Sequence, residues 1–158
     1  MIRIQARGTV GLDGTLTANG GRGGLYEGYG YHMPSGGGAG GSIYIECHSI
    51  TGGPAAMVRA EGGPTSLVGL VSYAGAGGGG GRIAVWVGVP TPFRDAFLAG
   101  DESKVVGGPT NAGYQGSLSV ISGFGYTTGV AAENQPQPGS VYFFLPVSLG
   151  EGILVQIF

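Results

Sequence analysis

Runs in which apolar residues alternate with other types recur along this chain about 40 residues apart. Ile2-Arg3-Ile4, Ile43-Tyr44-Ile45 and Ile83-Ala84-Val85 start at that interval, and Val141-Tyr142-Phe143 follows later. Successive side chains of an extended strand point to opposite faces. Ile2, Ile4 and Ala6 therefore share one face, and Arg3, Gln5 and Arg7 the other. Ile43, Ile45 and Cys47 repeat that division against Tyr44, Glu46 and His48. Ile83, Val85 and Val87 repeat it again, with Trp86 turned outward. Equal parity in three units is what stacked strands require, because a slip of one residue turns the core face to water. A repeat of this size implies stacked units, each burying its apolar face on a neighbour.

Each unit reads as two strands and a glycine-rich spacer. The predicted pairs are Ile2 to Ala6 with Thr15 to Ala18, Ser42 to Cys47 with Ala56 to Ala60, Arg82 to Val87 with Ser117 to Ile121, and Ser140 to Leu145 with Ile153 to Phe158. An insertion from about Thr91 to Tyr114 separates the third pair. Helix signals are nearly absent. Only Phe93 to Lys104 suits a turn or two, and Gly100 interrupts it at a cost of up to about 1 kcal/mol relative to alanine. The predicted fold is all-β: a single domain over 1–158, a short parallel β-helix or β-solenoid-like stack of units 1–41, 42–81, 82–139 and 140–158, with almost no helix.

Composition changes this picture in one respect. Glycine fills 37 of 158 positions, roughly three times ordinary usage. Disorder is one meaning of such density, but mean hydropathy is +0.22 and β-branched and aromatic residues are grouped, which disordered chains usually lack. Collagen is excluded, since glycine has no strict third-position period. Spacers such as Gly36-Gly37-Gly38-Ala39-Gly40-Gly41 and Gly77 to Gly81 admit two readings. They are floppy loops, or they are ordered corners where glycine supplies positive φ and close approach of neighbours. In the second case, extended glycine segments can also hydrogen-bond sideways, as packed polyproline-II-like strands.

Gly14-Thr15-Leu16-Thr17-Ala18-Asn19-Gly20-Gly21, Gly40-Gly41-Ser42-Ile43-Tyr44-Ile45 and Gly79-Gly80-Gly81-Arg82-Ile83-Ala84-Val85 resemble the glycine-rich parallel β-helix segments of large bacterial surface and secreted proteins. Pro138-Gly139-Ser140-Val141-Tyr142 looks like the closing phrase of such a segment. The resemblance covers 1–63 and 74–87 and is compositional. It implies a right-handed parallel β-helix and an extracellular or cell-surface setting, and no particular activity. The chain differs in being short and in showing no signal peptide or anchoring region.

Charge narrows the function classes. Seven basic and nine acidic residues give a net charge of −2 without a basic cluster. Counterion-release binding to nucleic acid thus has no source. No apolar stretch is long enough to span a bilayer, and Cys47 alone makes no intrachain disulfide. Gly75 to Gly80 satisfies a dinucleotide-type glycine pattern, but a strand follows it where the fingerprint needs a helix. Glu46-Cys47-His48 is the one local group of metal-ligand types, and strand alternation splits it, with Cys47 inward and the other two on the surface. Asp13 alone lies near a glycine turn, so calcium-binding β-roll repeats are excluded. Asp95, Asp101 and Glu102 read as a solvated loop, and His32 as an exposed spacer residue. Three aspartates are too few for the acidic cluster of a β-helix polysaccharide lyase. The sequence therefore predicts no enzyme, no cofactor and no metal site.

Tyr26, Tyr29, Tyr31, Tyr73, Tyr114, Phe124 and Tyr126 fall in or near spacers. They cap glycine layers, make contacts between subunits or form a platform for sugar rings. The chain begins and ends in β-type runs, and open strand edges recruit other chains. The expected function is a non-catalytic structural subunit that self-assembles head to tail into an extracellular filament or surface fibre. Ile2, Ile4, Ile153, Val155, Ile157, Phe158, Tyr29 and Tyr31 are the candidate assembly residues. The alternative is a carbohydrate-binding or adhesive module of a cell-surface or phage fibre, with a surface polysaccharide as partner. An enzyme fragment lacks its acids, and an ice-binding solenoid lacks regular threonine ladders beyond Thr15-Leu16-Thr17.

Overall fold

A computed structural model describes residues 1–28, 31–66, 75–108, 113–125 and 135–147. They form mostly strands with one α-helix. In chain order these are β1 (Ile2–Gln5), β2 (Thr9–Gly11), β3 (Thr15–Thr17), β4 (Leu25–Gly28), β5 (Tyr31–Pro34), β6 (Ser42–Cys47), β7 (Ser49–Thr51), β8 (Met57–Arg59), β9 (Arg82–Val87), α1 (Thr91–Leu98), β10 (Val105–Gly108), β11 (Ser117–Ser119) and β12 (Ser140–Pro146). A short 3-10 turn at Glu102–Lys104 precedes β10.

The period of about 40 residues becomes a set of parallel ladders. A five-stranded sheet runs in the order β1-β6-β9-β12-β10, and its first four strands are parallel. Ile2 lies beside Ile43, Ile43 beside Ile83 and Ile83 beside Val141. A three-stranded parallel sheet runs β11-β8-β3, and β2 pairs with β7. The predicted parity holds: Ile43, Ile45, Cys47, Ile83, Val85, Val87 and Phe143 enter one buried cluster with Val10, Ile50 and Val58. Full burial of one such side chain contributes about 1.5–3 kcal/mol, so this cluster supplies the main apolar driving force.

The glycine segments are ordered. One row consists of 18–24, 60–66 and 120–125, leading out of the three-stranded sheet. The other consists of 35–41, 75–81 and 135–139, leading into the five-stranded sheet. Within rows, Gly20 and Gly23 donate to the carbonyls of Glu61 and Pro64, and Gly37 and Gly40 to those of Ala76 and Gly79. Gly62 and Thr65 donate to Ile121 and Phe124. Between rows, Gly63 donates to Gly38, Gly78 to Gly63 and Gly123 to Gly78, at 2.8–2.9 Å. Donors recur every third residue, which is the period of a polyproline-II helix. The sideways hydrogen bonding expected of such segments is therefore present.

Close approach, and not positive φ, is what this array takes from glycine. Positive φ occurs at Gly88, Gly100 and Gly113, all outside the array. The corner role predicted for spacer glycines is corrected accordingly. A methyl on Gly63 would overlap the Gly21 carbonyl, and one on Gly78 the Gly38 carbonyl. Gly21, by contrast, has open space where a Cβ would go.

Other expectations are also revised. The insertion holds α1, the 3-10 turn and β10 where a loop with at most a turn or two of helix was foreseen. α1 begins earlier than expected because Pro92 suits the first helical turn. β10 reaches back to pair antiparallel with β12. The strand predicted at Ile153 to Phe158 lies outside the described residues.

Matched substitutions test the array. Gly78→Ala should lower unfolding stability by about 3 kcal/mol through backbone overlap. Gly21→Ala should leave it equal or raise it by about 0.4–1 kcal/mol by restricting the unfolded chain. Urea denaturation of both variants measures the difference, and equal losses would contradict the packing described.

Candidate functional site

Two surfaces of the five-stranded sheet carry the residues with functional potential: its outer face and its β1 edge. On the outer face, alternation sets Gln5, Glu46, Trp86 and Phe144 in one row across β1, β6, β9 and β12. Trp86 does point outward, but it is only 3 % exposed. Phe144 stacks on it at 4.0 Å between ring centroids, and Phe97 of α1 meets it edge-on at 5.6 Å. The insertion folds over the sheet because this row of aromatics needs cover. Trp86 faces outward as foreseen, but the insertion covers it.

Glu46 is the polar counterpart. Its carboxylate accepts from Gln5 Nε2 at 2.9 Å, from the Tyr44 hydroxyl at 3.1 Å and from Arg94 Nη1 at 2.7 Å. Arg94 sits on α1 and also binds Asp95, so the ion pair ties the insertion to the sheet. Arg3 lies over the Tyr44 ring. Burial pushes the Glu46 carboxyl up, yet the donors Gln5 and Tyr44 and the Arg94 charge outweigh it and leave its pKa below the usual carboxylate range. Glu46 is half-buried and engaged, not simply a surface residue. His48 is exposed, and Cys47 is buried as foreseen. Burial, then the Glu46 charge, raises the Cys47 thiol pKa, which suits a packing residue.

Among the described residues no group of three or more His, Cys, Asp or Glu side chains gathers where a metal could bind. Within the glycine run Gly75 to Gly80, Gly78 and Gly80 spend their amides on Gly63 and Gln137, so they do not face a phosphate. Asp13 accepts from the Gly53 amide, joining neighbouring repeats. Asp101 caps the 3-10 turn through the Ser103 amide. No described helix is long and apolar enough to cross a membrane.

The candidate assembly residues separate into two groups. Ile2 and Ile4 are half-buried on β1, the outermost strand of the sheet. Ile153, Val155, Ile157, Phe158 and Tyr29 lie outside the described residues, as do Tyr73 and Tyr126. Tyr31 and His32 belong to β5, which pairs with β4 as a hairpin. Tyr26 on β4 is exposed. Tyr114 is neither a platform nor a surface contact: it is buried beside Gly52 and Gly116, and its hydroxyl has no hydrogen-bond partner among the described residues.

The edge itself has a simple form. Among the described residues β1, β2 and β3 each pair on one side only, with β6, β7 and β8. Among the described residues, the glycine segment 18–24 likewise bonds to 35–41 and 59–64. Pairing of β2 with β7 was missed in the sequence, although Val10 and Ile50 carry the same period and Thr9 hydrogen-bonds Ser49 at 2.6 Å. A second feature missed was a groove of about 510 Å³ between α1, β10 and β12, lined by Phe97, Glu102, Val105, Val106, Tyr142 and Phe144. The chain matches no family model, no curated protein and no solved structure.

Glu46 gives a pH test. A carboxylate with a depressed folded-state pKa adds stability above its unfolded pKa, and that stability is lost as pH falls through the folded value. Wild-type protein should therefore lose stability below the ordinary carboxylate range. Glu46→Gln should be less stable at pH 7 and show a smaller fall on acidification. Urea midpoints measured between neutral and acid pH check this, and parallel pH profiles would refute it.

Proposed function

We propose that this chain is a non-catalytic structural scaffold, a short parallel β-solenoid whose open edge takes a further β coil from a second copy. Support comes from one observation above others: among the described residues, the three strands between residues 2 and 17 pair on one side only, and the glycine segment that follows them is the first of its row. Such an edge is a template for strand addition. The ladder that already joins β1 to β6 shows what fits there, namely a strand with the same inward and outward alternation. The mutually bonded glycine array, buried at Gly63, Gly78 and Gly123, makes the body a rigid spacer. An extracellular or cell-surface setting follows from the compositional resemblance alone.

The edge can be tested without disturbing the core. Ala6 donates to Glu46, so alternation turns the Arg3 amide to the free side. Arg3→Pro removes that donor, while Arg3→Ala removes the side chain and keeps it. Sedimentation should show concentration-dependent association for wild type and Arg3→Ala, and its loss in Arg3→Pro. Wild-type protein that stays monomeric at high concentration would sink the scaffold role.

One observation favours a second role, sugar binding. Tyr142 is 49 % exposed and lies over the groove beside Phe144, with the rings inclined by 22°. Glu102 borders the same groove. A ring face beside a carboxylate suits the C–H face and hydroxyls of a pyranose. A glycan array would show binding that Tyr142→Ala abolishes, and no signal for wild type would exclude it.

A further inference from the structure

We propose that the segment 88–108 is an end stop, which limits stacking to the β1 side and so closes the assembly at two copies. The inference rests on the scaffold role proposed above. In the five-stranded sheet each strand's outer flank is taken by a parallel strand of the next repeat, from β1 to β6 to β9 to β12. At β12 that succession ends. Its outer flank is held by β10, which precedes it in the chain and runs antiparallel.

The stop is firmly built. Val105 is buried, the Val147 amide donates to the Lys104 carbonyl at 2.9 Å, and Val105 lies opposite Pro146, which has no amide to satisfy. Phe97 wedges against both Trp86 and Phe144. Arg94 fixes the same insertion to Glu46. Together these contacts hold the insertion and β10 in place.

A docking coil must add a strand to the five-stranded and the three-stranded sheet together. With one of those edges taken, the whole coil is excluded. β10 itself is a poor template, being short, reversed in direction and half glycine. The remaining sticky face is the β1 side. Two identical copies can satisfy it only by meeting face to face, which is an isologous, closed contact and not a propagating one. A head-to-tail filament would need β10 displaced.

The alternation set by the Val147 bond directs the Val106 amide to the Leu145 carbonyl. Val106→Pro should release β10 there. Phe97→Ala loosens the same strand without altering a backbone hydrogen bond of the sheet and serves where the proline variant fails to fold. Sedimentation and negative-stain imaging, with circular dichroism as the folding check, should show wild type stopping at a pair. Folded release variants should form assemblies whose mass keeps rising with concentration. In the Phe97→Ala background, a disulfide joining Val106→Cys to Leu145→Cys should restore the pair. Unlimited growth of wild type, or a folded release variant that stays a pair, would overturn the stop while leaving the scaffold role intact. No pairing in wild type, with Arg3→Pro behaving the same, would remove the scaffold role and the stop with it.

Discussion

Backbone contact between glycine segments is the constraint on which the molecule depends. Six such segments lie side by side, and their amides and carbonyls satisfy one another across the rows. An extended chain buried without that exchange would leave polar groups unpaired, at about 1–3 kcal/mol each. The exchange needs backbones to approach more closely than any Cβ allows, as at Gly63 and Gly78. Glycine loses more conformational freedom on folding than other residues. The array is therefore worthwhile only because the strands at one end already hold the segments in register.

That dependence links the two halves of each repeat. The inward rows Ile2-Ile43-Ile83-Val141 and Ile4-Ile45-Val85-Phe143 set the strand register. Register then aligns the glycine segments that lead into the sheet and those that leave its partner. Asn19 and Glu61 act as side-chain clips at the junction, with the Glu61 amide donating to Asn19. A register error would lose apolar burial and the glycine bonds together, so the two kinds of order are cooperative.

The insertion is a different kind of element. It repeats nothing, and it is attached by side chains rather than by the period. Aromatic stacking on Trp86 and the Arg94–Glu46 pair bind it to the outer face, and β10 then reaches the edge of the sheet. The same few residues decide whether that face is covered and whether the edge is available. Stability of the outer face and occupancy of that edge are thereby coupled.

The sequence by itself determined the strands of the repeat. Ser42–Cys47 and Arg82–Val87 have the predicted bounds, because alternation over six residues is a local signal with a single physical meaning. It also determined which side chains of those strands face the core, and that Cys47 is a packing residue. It did not determine the neighbours of Trp86, Glu46 or Tyr114. Those depend on where the segment 88–114 folds back, and nothing periodic announces that. Glycine was legible as a need for closeness, but whether its amides met other glycines or water was a matter of three-dimensional partners. Only the tertiary structure decided that β10 would close one edge while β1, among the described residues, pairs on one side, since edge occupancy is a property of chain path and leaves no mark on the local pattern.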